Sequence, residues 1–83
     1  MKVKKFLNLL KNEEAKLKFA FQANCEGNIL WYDMEFLLSE YRKGNVSLGN
    51  YDYYTVTDIK VEDDCNILIT AIPFTIKIGK LIF

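Results

Sequence analysis

The amino-acid sequence predicts a small α+β domain: a small antiparallel β-sheet of four or five strands, with one or two helices packed on one face. Three observations indicate this fold. Residues 3–10 repeat apolar side chains at helical spacing, later segments alternate apolar and polar residues, and clusters of Gly, Asn and Asp separate them. A length of 83 residues suits a single domain, residues 1–83, with a small core.

The N-terminal third predicts a helix followed by a pair of strands. Apolar residues of segment 3–10 recur at i, i+3, i+4 and i+7, which is typical of a short amphipathic helix. Residues 16–22 alternate apolar with polar or small side chains, as a half-buried strand does. Residues 26–28 carry a turn signal, and residues 29–32 are expected to form a returning strand, with Trp31 in the core.

Residues 33–43 fit either a helix or a strand. Apolar residues recur there at helical spacing, Asp33 is a suitable N-cap, and Gly44 stands where a helix usually ends. These features favour a helix. A strand would instead place Asp33 and Glu35 on one face with Trp31.

The C-terminal half predicts a loop, a hairpin and a last strand. Gly and Asn residues mark 44–53 as a loop, and residues 55–72 read as a β-hairpin with a tight acidic turn at 63–66. One face of its first strand is expected to carry Thr55, Thr57, Ile59 and Val61. Pro73 predicts an edge or a break, and residues 74–78 alternate as a further strand.

The residue types exclude most catalytic and metal chemistry. The chain has no His, so Ser–His and Cys–His nucleophile pairs are excluded and the commonest metal ligand is missing. Four scattered glycines form no phosphate-binding loop. Cys25 and Cys65 are expected to be reduced thiols, because two thiolates alone do not complete a zinc site. We therefore predict a protein that is not an enzyme and uses no cofactor and no metal.

Charge and hydropathy predict a cytoplasmic protein. Eleven basic and eleven acidic residues cancel, so no net charge attracts the chain to nucleic acid or to an anionic membrane. No apolar run has the length of a membrane span. The apolar stretch 6–10 after the first lysines is interrupted by Asn8 and followed by charged residues, which argues against a signal peptide.

A tyrosine-rich segment and an acidic segment are the best candidates for a partner-binding surface. Tyrosine supplies a large contact area at low entropic cost, and carboxylates can replace nucleic-acid phosphates against a basic channel of another protein. The predicted partner-binding residues are Tyr51, Tyr53, Asp58, Glu62, Asp63 and Asp64. The alternative is that alternate tyrosines enter the core and that the acids are solvated turn residues.

Two further surfaces are alternatives. A lysine face would contact phosphates in a nucleic-acid-binding accessory protein, although a solvated helix face is the simpler interpretation. Its residues are Lys2, Lys4, Lys5 and Lys11, joined by Lys16 and Lys18. The C-terminal strand, residues 76–83, would act as an edge for a homodimer or for a structural assembly subunit.

Several segments carry a resemblance to known proteins. They are Val3–Leu10, Tyr41–Val46, Val56–Asp64 and Asn66–Ile69. These segments resemble a group of small, mostly uncharacterised phage and prophage proteins of Gram-positive bacteria, over residues 1–72. Some small phage proteins of this size are inhibitors of host defence, anti-CRISPR proteins among them. In the group, a strand usually precedes the Tyr-x-x-Gly element, so the resemblance favours a strand over a helix in the segment before Tyr41. The group has no catalytic motif to match.

These observations predict a non-enzymatic protein-interaction module encoded by a phage or another mobile element. It would bind a host protein, such as a CRISPR effector or another defence nuclease, and inhibit it. Nucleic acid is the less expected partner, because the net charge is zero and the chain has a single Arg.

Overall fold

The computed structural model describes residues 1–25, 27–63, 65–73, 77–78 and 81–82. In chain order its elements are α1 (Val3–Leu9), β1 (Lys16–Cys25), β2 (Asn28–Leu37), α2 (Leu38–Arg42), the 3₁₀ helix Gly49–Tyr53, β3 (Thr55–Asp63), β4 (Asn66–Ile72), β5 (Lys77–Ile78) and β6 (Leu81–Ile82). The predicted α+β class is confirmed.

The first four strands form one mixed sheet in the order β2-β1-β4-β3. β1 and β2 form an antiparallel hairpin, and so do β3 and β4. The central contact between β1 and β4 is parallel, which differs from the predicted antiparallel sheet. The reason is topological: the chain crosses over through α2 and the 3₁₀ helix before β3, and the second hairpin then brings its returning strand alongside β1.

Both helices pack on one face of this sheet, as predicted. The buried apolar cluster contains residues from β1, β2, β4 and both helices: Val3, Phe6, Leu7, Ala15, Leu17, Phe19, Phe21, Phe36, Leu38, Leu48, Ile67, Ile69 and Ala71. We call the face that carries Leu17, Phe19 and Phe21 the core face. The opposite face, here the second face, carries Lys16, Lys18 and the other alternating side chains of β1.

The first helix and the first strand follow their sequence patterns. α1 buries Val3, Phe6 and Leu7, the residues that its helical spacing places on one stripe. β1 has the predicted alternation and continues three residues beyond the predicted end at residue 22. The turn into β2 contains Gly27, whose φ of 82° lies in the left-handed region that favours glycine.

The predicted helix over residues 33–43 is wrong in its first half. Residues 33–37 belong to β2, whose register with β1 continues without interruption over ten residue pairs. Met34 and Phe36 thereby face the core. In this segment the alternation of core-facing and outward-facing residues that is typical of a strand prevails over the helical spacing. α2 begins at Leu38 and stops before Gly44, where the predicted helix end is confirmed by a φ of 83°. Pairing with β1 overrides the local helical spacing.

A β-bulge changes the predicted facing of β3. Its register with β4 shifts at Thr57, which is the extra residue of the bulge. Thr55 is therefore buried on the side opposite Ile59 and Val61 instead of sharing a face with them. The prediction that all four alternating residues of this strand face one way is wrong, because sequence alternation does not reveal a bulge.

β4 ends at Ile72, immediately before Pro73, as the proline predicted. The predicted last strand over 74–78 and the predicted homodimer edge over 76–83 lie mostly outside the described residues. Within the part that is described, β5 and β6 pair antiparallel in a separate two-stranded sheet.

Candidate functional site

The structure divides the predicted partner-binding residues between two places. Tyr51 and Tyr53 lie in the 3₁₀ helix. The acids lie on β3, the outer strand on the side of the sheet farthest from β2. Those that the structure describes are Asp58, Glu62 and Asp63, and all three are exposed. Asp64 lies outside the described residues.

Asp63 stabilises the turn between β3 and β4. Its Oδ1 accepts hydrogen bonds from the backbone N–H of Cys65 at 2.8 Å and from the side-chain amide of Asn66 at 3.0 Å. The bonds from Asn66 and Cys65 lower the pKa of Asp63, because they favour the charged carboxylate. The alternative reading of this acid as a turn residue therefore has structural support. Cys65 itself is an exposed free thiol.

Tyr51 is a packing residue. Its ring stacks on Phe21 with the ring centroids 4.2 Å apart, and it lies 4.9 Å from Tyr54 and 6.1 Å from Tyr32. Tyr53, by contrast, is 63% exposed. The 3₁₀ helix thus directs one tyrosine toward the sheet and the next toward solvent, so the two do not present one contact face.

The predicted lysine face is also divided. Lys4 and Lys5 are exposed on α1, which packs on the core face, whereas Lys16 and Lys18 project from the second face. Lys16 forms an ion pair with Glu35 at 2.6 Å, and its hydrogen bond lowers the pKa of Glu35. The basic groups therefore form no continuous path for a phosphate backbone.

β2 presents a large exposed apolar surface that the sequence interpretation missed. Ile29, Leu30, Trp31 and Tyr32 are consecutive, and each is between 51% and 62% exposed. We call these four residues the apolar edge. Trp31 was expected in the core, but its side chain lies on the second face opposite Gln22, whereas α1 and α2 both pack on the core face. An exposed apolar patch of this kind is typical of an interaction site.

β2 is also an edge strand with unpaired backbone groups. In the described part of the chain, β2 pairs only with β1. Leu38, directly after β2, donates its N–H to the carbonyl of Ala15 at 2.9 Å, so even-numbered residues of this segment point their backbone groups toward β1. The N–H and C=O groups of Ile29, Trp31 and Asp33 therefore point outward. They are available to another strand.

The other edge of the sheet is protected where β2 is not. β3 has two register shifts along its pairing with β4. In its exposed part, charged residues alternate with uncharged ones. Its first residues are paired with the N-terminal segment, since Val56 donates to the Met1 carbonyl at 2.8 Å and Val3 donates to the Tyr54 carbonyl at 2.9 Å. Bulges, charges and covering segments are the devices that prevent edge pairing. Within the part of the chain that the structure describes, residues 29–32 of β2 carry no bulge, no charge and no paired covering segment.

A shallow groove of about 380 Å³ crosses β2, β1 and β4 on the second face. The side chains that reach it from this face are Lys18, Ala20, Asp33, Glu35, Leu68 and Thr70. Asp33 and Glu35 also belong to β2. The groove therefore extends the exposed surface of the edge strand rather than forming a separate enclosed site.

Tyr41 joins α2 to the 3₁₀ helix through a hydrogen bond that makes stability depend on pH. Its hydroxyl donates to Oδ1 of Asp52 at 2.8 Å. Burial, together with this bond to the carboxylate, raises the pKa of Tyr41 from 10.0 to about 12. The folded state therefore holds the phenolic proton more tightly than the unfolded state. The resulting stabilisation is complete below pH 10 and is lost as the pH rises toward 12.

We expect the free energy of unfolding to fall between pH 10 and pH 12, and to fall less steeply in Tyr41→Phe, which has no phenolic proton to lose. Urea denaturation of both proteins across this range measures the difference. Parallel curves for the two proteins would show that Tyr41 titrates with its ordinary pKa.

No protein-family model, no curated protein and no solved structure matches this chain. Among the described residues, no group of three or more Cys, Asp or Glu side chains is arranged to hold a metal ion. The same residues contain no helix that is long and apolar enough to cross a membrane.

Proposed function

We propose that this protein is a non-enzymatic protein-interaction module that binds another polypeptide through β2. The observation that carries the proposal is the apolar edge: four consecutive half-exposed apolar residues on a strand whose outward backbone groups have no partner in the described part of the chain. Binding would add a strand to the sheet.

Edge addition combines two sources of affinity at this strand. The outward N–H and C=O groups of Ile29, Trp31 and Asp33 would form ladder hydrogen bonds with an extended segment of the partner. The half-exposed aromatic and aliphatic side chains would bury further area on both sides of the strand. Trp31 is the expected anchor, because tryptophan is enriched among residues whose loss strongly weakens binding.

The contact residues in this proposal differ from the predicted acidic and tyrosine set. Tyr53, Asp58 and Glu62 are exposed and remain predicted contacts for a second partner surface. Tyr51 packs on Phe21 and Asp63 stabilises a turn. These contacts within the chain explain both residues without a binding partner. The narrower hypothesis, that the bound protein is a host defence nuclease and that a phage encodes this chain, derives from the resemblance and remains a prediction.

Trp31→Lys tests the proposed function. The substitution puts a charge at the centre of the apolar edge without removing a buried side chain, so we expect partner binding to weaken about tenfold or more while the protein stays folded. Immobilised wild-type protein and the variant are compared for the proteins they retain from a lysate of a Gram-positive bacterium. A retained protein is then purified and titrated against both.

Val61→Lys is the matched control. Val61 is 63% exposed on β3, the opposite edge, so the same positive charge is introduced at an exposed apolar position away from the apolar edge. We expect Val61→Lys to bind like the wild type. If Trp31→Lys retains the same proteins with the same affinity as Val61→Lys, β2 is not the binding strand.

A further inference from the structure

We propose that the strand bound by β2 is β2 of a second copy of this chain, so that two four-stranded sheets join into one continuous sheet about a two-fold axis. This inference rests on the proposed function and specifies its partner. It differs from the predicted homodimer through residues 76–83, because it uses β2, an outer strand of the four-stranded sheet. Isologous pairing of this kind is the commonest form of protein dimer.

The backbone parity of β2 restricts the registers that two copies can adopt. Only odd-numbered residues point their N–H and C=O groups outward, so a symmetric antiparallel pair places odd-numbered residues opposite one another. The two-fold axis then passes either between two copies of the same odd-numbered residue or midway between two symmetry-related pairs of odd-numbered residues. The side chains on each face decide among these registers.

A register centred on Trp31 pairs three of the four residues of the apolar edge, Leu30, Trp31 and Tyr32, with one another. Trp31 then lies opposite Trp31 of the second copy on the second face, and Leu30 lies opposite Tyr32 on the core face. Ile29 lies opposite Asp33, so the two Asp33 carboxylates stay several residues apart. A register centred on Asp33 would put these carboxylates directly opposite each other, which is destabilising.

The whole-chain charge is compatible with self-association. Basic and acidic residues balance, so two copies approach without net repulsion at neutral pH. The carboxylates of β2 lie toward its C-terminal half, and Glu35 is already paired with Lys16 of its own chain. The segment that the Trp31-centred register brings to the axis is uncharged from Asn28 to Tyr32.

The available area indicates a weak dimer rather than an obligate one. Aromatic side chains bury 150–250 Å² in full, so four half-exposed apolar residues offer on the order of 400 Å² per copy. A standard stable interface uses about 800 Å² per partner. Six ladder hydrogen bonds add to the contact in this register, which follows from three outward residues in each copy. We therefore expect a dimer that forms at high micromolar concentration and dissociates on dilution.

The first test is the mass of the wild-type protein by light scattering and sedimentation from about 1 µM to about 1 mM. We expect the mean mass to rise toward twice the chain mass of 9.7 kDa. Over the same range, the emission of Trp31, the one tryptophan of the chain, is expected to shift to shorter wavelength as the ring is buried. The amides of Ile29 and Trp31 are expected to exchange more slowly with solvent.

The second test uses paired charges at the proposed axis. Trp31→Lys and Trp31→Glu each place like charges opposite each other in this register, so each variant alone is expected to remain monomeric. Mixed in equal amounts, they place opposite charges together, and we expect the mixture to associate at least tenfold more tightly than either variant alone. Val61→Lys is expected to dimerise like the wild type.

A wild-type protein that stays monomeric to about 1 mM would overturn the inference, and so would a dimer that Val61→Lys abolishes and Trp31→Lys does not. A dimer that both Trp31 variants weaken but their mixture does not restore would overturn the Trp31-centred register. If the protein is monomeric while Trp31→Lys still loses a protein captured from the lysate, the proposed function stands and the self-association fails. Amide exchange of the wild type gives an answer even if a variant does not fold.

Discussion

Phe21→Ala is expected to destabilise the fold by about 3–5 kcal/mol, the range for removing a buried aromatic ring. Phe21 is completely buried at the centre of the core face. Its ring centroid lies 5.0 Å from that of Phe19, 4.2 Å from Tyr51 and 5.8 Å from Tyr54. Truncation leaves a cavity between β1 and the 3₁₀ helix that neighbouring rigid rings cannot fill. A loss of this size is a large share of the 5–15 kcal/mol that stabilises a typical domain.

Urea denaturation followed by circular dichroism measures this effect. Tyr53→Ala is the matched control, because it removes an aromatic ring from the same 3₁₀ helix at a position that is 63% exposed, and we expect a change within about 0.5 kcal/mol. A loss below about 1 kcal/mol for Phe21→Ala would mean that Phe21 is not packed between the sheet and the 3₁₀ helix.

Arg42→Ala is expected to destabilise the protein by about 2 kcal/mol, since hydrogen bonds to charged groups contribute roughly 1.5–3 kcal/mol. Arg42 lies in α2, but its guanidinium donates to the carbonyl of Leu7 at 3.1 Å and to that of Leu10. It also forms an ion pair with Glu13. These carbonyls belong to the C-terminal end of α1, which has no basic residue of its own in the last turn. The Arg42 side chain of α2 therefore provides hydrogen-bond donors for the carbonyl groups at the C-terminal end of α1.

Arg42→Lys separates the contribution of charge from that of geometry. Lysine keeps the positive charge but lacks the planar fork that reaches two carbonyls and a carboxylate at once, so we expect it to recover less than half of the loss. Thermal or urea unfolding of the three proteins gives the comparison. Equal stability of Arg42→Ala and the wild type would show that solvent satisfies the end of α1 equally well.

Much of the fold could be predicted from local patterns. The helix α1 and the strand β1 follow from apolar periodicity, because each buries the stripe or face that its sequence defines. The ends of α2 and β4 follow from Gly44 and Pro73, whose backbone preferences act locally. The beginning of α2 could not be predicted this way. Residues 33–37 satisfy both a helical and an alternating pattern, and pairing with β1 selects the strand.

The candidate site was less predictable than the fold. Exposed apolar residues look like core residues in a sequence, so the residue type of Trp31 alone does not distinguish a buried strand from an edge. Tyrosines and acids attract attention by composition, yet Tyr51 packs against Phe21 and Asp63 holds a turn. One signal did exist. A half-buried hairpin strand needs apolar residues only at alternate positions, but four consecutive apolar residues follow the Gly-Asn turn.

The sequence by itself determined which segments are apolar on one side, where turns interrupt them, and which chemistries the chain lacks the residues to perform. The tertiary structure alone decided that β4 inserts beside β1, that β2 becomes an outer strand, and that the helices cover the core face but leave Trp31 exposed. The physical reason is that periodicity is a property of neighbouring residues, whereas strand order and the covering of each face depend on contacts between segments far apart in the chain.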